Sequence, residues 1–147
     1  MWNEIENEAD IHRFMKLVGW FHDGCIKELR YTSGAFVAKT LSMHPFNSER
    51  TLRMIVQRQY RNPMAVEMEF KGLAKLSMFP ADPNLYDCIL LGATMIKGDN
   101  CIYWCDSGNL SESELNSYEG TLICASKVRW RVADEYIGSE EVYRNRA

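Results

Sequence analysis

Trp20-Phe21-His22-Asp23-Gly24, running on into Cys25-Ile26-Lys27-Glu28-Leu29-Arg30-Tyr31, is the stretch on which the period of the chain changes. Before it Ile5, Ala9, Ile11, Phe14, Met15 and Val18 recur at helical spacing, opposite Glu6, Asp10, Arg13 and Lys16. After it the apolar residues alternate as they do in strands. The pattern predicts an α+β fold in which an N-terminal helix packs on a mostly antiparallel, curved sheet of about seven or eight strands, barrel-like or a sandwich. The helix is placed at about residues 3–18, with Asn3 as its cap, Glu4 and Glu6 in its first turn and Gly19 as its stop.

Working outward, residues 25–32 and 36–41 read as a hairpin turning at Ser33-Gly34, and residues 43–49 as a loop marked by Pro45 and Asn47. Residues 51–60 form a third strand. In 65–70 the alternation is clearest: Val66, Met68 and Phe70 face inward while Glu67 and Glu69 are expected to face water. Gly72 suggests a bulge or corner before 73–79. Residues 88–96 and 101–104 flank Lys97-Gly98-Asp99-Asn100, a hairpin turn. The polar connection 106–120 has capping-box spacing at Ser111 and Glu114. In 121–132, Leu122, Cys124, Ser126, Val128 and Trp130 are read onto one face and Lys127, Arg129 and Arg131 onto the other. The tail, 134–147, offers Tyr136 and Ile137 as anchors and is expected to dock briefly and then fray.

The chain of 147 residues fits one domain, 1–147, with the helix, a β-rich body over about 25–132 and the polar tail as its parts. A net charge of −3 with scattered basic residues argues against nucleic acid as a partner. The longest apolar runs, such as 88–91 and 122–125, are far short of the roughly 20 residues that a spanning helix needs, so no membrane is expected. The acidic N-terminus (Glu4, Glu6, Glu8, Asp10) lacks the basic start of a signal peptide, which places the protein in the cytoplasm.

The five cysteines fit a reducing compartment. Cys101 and Cys105, if on one strand, sit about 13 Å apart, too far for a disulfide or a shared zinc. The thiols are therefore read as core. No phosphate loop, G-x-S-x-G elbow, H-E-x-x-H or EF-hand spacing occurs, so neither cofactor nor metal is expected and an enzyme is disfavoured.

His22 and Asp23 are the first candidates for chemistry, since a histidine beside a carboxylate suits a general base. The competing reading has the pair tying the helix-to-strand junction, in which case His22→Ala should lower thermal stability. Trp104 with Asp106, and Arg129, Trp130 and Arg131, are the other binding candidates, because tryptophan and arginine are enriched at binding hot spots. Equally, Trp130 suits a core and the arginines a solvated face paired with Glu67 and Glu69.

Phe21-His22-Asp23 entering a strand, with the late Trp-Arg strand, resembles small bacterial β-rich domain-of-unknown-function proteins and, loosely, the Phe-His-Asp-bearing immunity proteins of polymorphic toxin systems. That resemblance implies a non-enzymatic cytoplasmic protein that binds a toxin-like protein partner. The alternative is a small-molecule binder or hydrolase with a pocket near His22 and Asp23. An open sheet also needs its edges covered, and a homodimer through a sheet edge is one route.

Overall fold

The alternation of Val66, Glu67, Met68, Glu69 and Phe70 sets the axis of the molecule, with large apolar side chains on one side of a strand and carboxylates on the other. The structure, a computed structural model, describes residues 1–145. Strand β1 (Asn3–Ile5) precedes helix α1 (Glu8–Leu17) and a 3-10 turn at Gly19–Phe21. Then come β2 (Gly24–Thr32), β3 (Phe36–Val37), β4 (Met43–His44), β5 (Thr51–Arg58), β6 (Ala65–Ser77), β7 (Thr94–Lys97) and β8 (Ile102–Cys105). A one-turn helix α2 (Glu112–Leu115) leads to β9 (Leu122–Val132), and 3-10 turns follow at Asp134–Tyr136 and Tyr143–Asn145.

The main sheet has seven strands in the order β2-β5-β6-β9-β8-β7, with β1 also joined to β9. Every pairing in it is antiparallel. One edge of β9 carries β6, and the other is shared end to end by β8, at residues 122–125, and β1, at residues 128–130. The sheet stays open, with β2 and β7 at its margins, so the α+β expectation holds and the barrel does not form.

The helix is shorter than its periodicity suggests. Asn7, not Asn3, is the cap: its Oδ1 accepts from Asp10 N at 2.9 Å. Asn3, Glu4 and Ile5 instead pair with Trp130, Arg129 and Val128. Both asparagines satisfy the local rule, and the free edge of β9 decides between them by bonding a backbone that a first helical turn would leave half satisfied. From α1, Ile11, Phe14 and Met15, with Val18 just beyond, bury against Leu52, Met54, Val66, Met68 and Phe70. Each such side chain removed from water contributes about 1.5–3 kcal/mol. Phe14 also packs on Phe21 and on Trp130, at ring separations of 5.7 and 4.7 Å.

The junction turns through left-handed backbone at Gly19, Trp20, Phe21 and Asp23, with φ between 53° and 63°. Such conformations are unfavourable for residues with a Cβ. Complete burial of Phe21 and a pair of backbone bonds, Asp23 N to Leu90 O at 2.8 Å and Leu90 N to Gly24 O at 2.7 Å, hold them.

Three further expectations change. Residues 33–50 leave the main sheet as an arm, because β2 pairs with β5 right up to Thr32 and Thr51 and leaves β3 only β4 to bond. The expected strand 36–41 thus shrinks to Phe36–Val37, and part of the expected 43–49 loop becomes its partner. Of the expected strand 88–96 only Thr94–Lys97 joins the ladder; Leu90 and Ala93 before it are buried in the core. The inward-facing set of β9 also differs: Ile123 and Ala125 join Val128 in the main core, while Leu122 belongs to a second cluster with Cys105 and Leu115. The change of facing falls at exposed Ser126, opposite Gly72 with its φ of 64° and next to the register shift between Leu73 and Lys75.

Residues around α2 cover one end of the opposite side of the sheet, held by the capping box of Ser111 and Glu114. Among the described residues no helix is long and apolar enough to cross a membrane.

Candidate functional site: a charged sheet face and an apolar arm

Strand register assembles rows of charge on the side of the sheet away from α1. Arg30, Arg53, Glu69, Arg129 and Glu4 stand directly opposite one another in turn across β2, β5, β6, β9 and β1. The neighbouring row is Glu28, Ile55, Glu67 and Arg131. Glu69 takes two hydrogen bonds from Arg129, Nε to Oε1 at 2.8 Å and Nη2 to Oε2 at 3.2 Å. Arg53 Nη2 reaches Oε2 at 2.9 Å, and Lys71 Nζ lies 3.6 Å from Oε1. Burial works against ionising Glu69, yet Arg129, Arg53 and Lys71 outweigh it, and the carboxyl sits below the ordinary range. The bond to Glu69 correspondingly raises Arg129.

Glu67 accepts from Arg131 Nε at 2.9 Å and from the Tyr143 hydroxyl at 2.6 Å. Burial, and then Glu67, push the Tyr143 hydroxyl above the ordinary tyrosine value. Both glutamates are buried, against the expectation that they face water. Tyr143 reaches Glu67 from the tail, and Trp2 stacks on the arginines that pair with the two glutamates. The Trp2 ring lies 4.3 Å from the Arg129 guanidinium and 5.6 Å from that of Arg131.

The tail docks through polar anchors. Glu28 receives Val142 N at 2.8 Å and Tyr143 N at 3.0 Å, and Asp134 Oδ1 receives Met64 N and Ala65 N. Gln57 Nε2 donates to the carbonyls of Tyr136 and Gly138. The expected anchor Ile137 is exposed. Residues 146–147 of the tail expected to fray lie outside the described residues.

Two clefts flank Glu69. One, of about 580 Å³, runs beside Glu4, Glu6, Lys97, Asp99 and Lys127. The other, of about 570 Å³, is lined by Arg30, Thr32, Ser48, Thr51 and Arg53, with Glu49 at its side. Glu69, Lys71 and Arg129 border both.

The remaining candidates do not gather into one site. His22 is exposed, its side chain 59% accessible, with Nδ1 3.1 Å from Asp23 Oδ2. Asp23 Oδ2 also accepts from the Tyr60 hydroxyl at 3.1 Å. Trp104 is wholly buried against Phe21, and half-buried Trp130 faces Phe14, on the side of the sheet opposite its neighbours Arg129 and Arg131. Asp106 lies at the far end, its Oδ1 accepting from the Tyr118 hydroxyl and from Thr121 N. Burial and then Asp106 raise Tyr118. Of the two thiols read as core, Cys105 is buried and Cys101 half-buried; of the others, Cys124 is buried, Cys25 half-buried and Cys88 exposed.

Arg53, Trp2 and Tyr143 are members of the charged face that sequence reasoning missed. For Arg53 a signal existed in its alternation with Leu52 and Met54. The exposed apolar residues were also missed as a group. Phe36, Val37, Leu41, Met43 and Phe46 stand out along the arm, Leu41 and Phe46 at 82% exposure, and Phe79, Leu85, Tyr86 and Leu91 stand out along the segment before β7. Among the described residues no cluster of three or more His, Cys, Asp or Glu side chains could hold a metal. Comparison of the chain with family models, curated proteins and solved structures finds no match.

Proposed function

We propose that the protein works by binding another protein, without catalysis, in the manner of the toxin-neutralising immunity proteins that its Phe21-His22-Asp23 junction resembles. The observation that carries this reading is the arm. A two-stranded ribbon is marginally stable alone in water, yet this one holds Phe36, Val37, Leu41, Met43 and Phe46 away from the core. Its shape is kept by turn bonds, Ala38 N to Ser42 O at 2.9 Å and Leu41 N to Ala38 O at 2.8 Å, and by Phe36 stacked on His44 at 4.4 Å. Apolar surface presented in this way is stabilised when a partner covers it.

The rival, a small-molecule binder or hydrolase built on His22 and Asp23, draws on their 3.1 Å contact. The exposed position of His22 weighs against it, since a general base gains its strength in an enclosed site. The resemblance supports a cytoplasmic location, and a net charge of −3 with scattered basic residues argues against nucleic acid as a partner. Among the described residues β2 and β7 stand at the margins of the sheet, and either offers an edge for a homodimer.

The test is affinity capture from the source cells with wild type and Phe36→Ser/Phe46→Ser side by side, read by mass spectrometry and sedimentation. A single protein, or a second copy, recovered by wild type and lost by the folded variant supports the reading. Equal recovery by the two, or turnover of a small substrate that His22→Ala abolishes, overturns it.

A further inference from the structure

We infer that the cleft beside Arg30 receives an acidic side chain of the protein partner, next to an apolar one that packs on the arm. This deepens the protein-binding reading and rests on it. The starting point is a break with the rule for paired strands. Like charges directly opposite each other destabilise a sheet, yet Arg30 faces Arg53 across β2 and β5, and Lys71 faces Lys127 across β6 and β9.

Arg53 is relieved by Glu69, but that carboxylate already takes both bonds of Arg129 and lies 3.6 Å from Lys71. Among the described residues Arg30 has no carboxylate partner. The cleft therefore brings four cations, Arg30, Arg53, Lys71 and Arg129, against two carboxylates, Glu49 and Glu69. The hydroxyls of Thr32 and Ser48 stand beside them as donors. An incoming carboxylate would complete the row, with Arg30 able to hold both of its oxygens.

The surroundings select a protein as the source of that carboxylate. Thr32 and Thr51, which line the cleft, are also the residues from which the arm departs, so the basic floor lies at the root of the arm that carries exposed Phe36 and Phe46. A phosphate backbone would find charge on one side and grease on the other. A strand or loop carrying Asp or Glu beside Leu or Phe matches both halves.

The experiment measures binding of the full chain to short synthetic peptides alternating Glu with Leu or Phe, and to the same peptides with Gln for Glu. Wild type, Arg30→Glu and Phe46→Ser are compared after their melting curves have been matched. The expected result is a preference of about tenfold for the acidic set, erased by Arg30→Glu and reduced by raising salt to about 1 M, with Phe46→Ser weakening both sets alike. Equal binding of the two sets, or displacement by inorganic phosphate or an oligonucleotide at the peptide's own concentration, overturns the inference. Loss with Phe46→Ser but not with Arg30→Glu sinks the acidic anchor and leaves the protein-binding reading standing. Indifference to both variants sinks the two together.

Discussion

Glu69 and Arg129 face each other across β6 and β9, and the guanidinium meets the carboxylate in two hydrogen bonds, 2.8 and 3.2 Å long, with Arg53 closing on the same carboxylate from the other side at 2.9 Å. One buried anion thus holds three strands in register. Glu69→Gln keeps the shape and removes the charge, leaving Arg53, Arg129 and Lys71 to repel one another. The loss should be about 2–3 kcal/mol, below that of a fully enclosed pair, because both arginines still reach water. Urea unfolding measures it, and an unchanged midpoint would mean that the row of charges contributes nothing to the fold.

The same group gives a pH dependence of known sign. Burial alone would raise the Glu69 carboxyl, but Arg129, Arg53 and Lys71 bring it below its ordinary 4.5 in the folded chain. Its contribution is therefore complete above about pH 4.5 and disappears as pH falls through the lower folded value. Wild type should lose stability in that acid range more steeply than Glu69→Gln. Parallel curves of melting temperature against pH would contradict this.

Alternation in β6 made Val66, Met68 and Phe70 legible as core and Glu67 and Glu69 as their opposite face, with Arg129 and Arg131 as partners. It could not say what lies above that face. Tyr143 bonds Glu67 and Trp2 stacks on Arg129 and Arg131, and contacts across such separations leave no local period. Asn3 and Asn7 show the same limit: two equivalent caps stand four residues apart, and only pairing with Trp130 and Val128 decides that the first belongs to a strand. Of the charged face only Arg129 and Arg131 stood out in the sequence, Arg30 and Arg53 did not, and neither did the arm, because Phe36, Val37 and Met43 carry the apolar pattern of an ordinary buried strand.

Tyr143 fastens the tail over Glu67, which is otherwise bonded to Arg131. Tyr143→Phe removes a hydrogen bond to a buried carboxylate and should destabilise by about 1.5–3 kcal/mol. Amide exchange supplies a local readout: Val142 N and Tyr143 N, held by Glu28, should lose protection in Tyr143→Phe and in Glu28→Gln, while amides of β5 should change little. Protection unchanged at both amides would show that the tail is held elsewhere.

His22 and Asp23 should separate in their effects. The His22 side chain is exposed and, among the described residues, its polar contact is with Asp23, so His22→Ala, which keeps the backbone bond to Gly19 O, should leave the melting temperature within about 2 °C, against the larger loss that a junction tie would give. Asp23 also receives the Tyr60 hydroxyl and adopts φ of 63°, where alanine is less at ease than aspartate. Asp23→Ala should therefore lose about 1 kcal/mol. The reverse order would restore a structural role to the imidazole.

Gly72 and Ser126 are coupled through space. A Cβ on Gly72 would lie 2.1 Å from Ser126 Oγ, and the φ of 64° is itself unfavourable for alanine. Gly72→Ala should lose about 1–3 kcal/mol. Ser126→Ala gives up the bond from its hydroxyl to Lys71 O at 3.1 Å but makes room, so the double variant should be more stable than the summed losses by about 1 kcal/mol, with the backbone penalty remaining. Simple additivity in urea unfolding would mean that position 72 escapes Ser126 by moving its backbone.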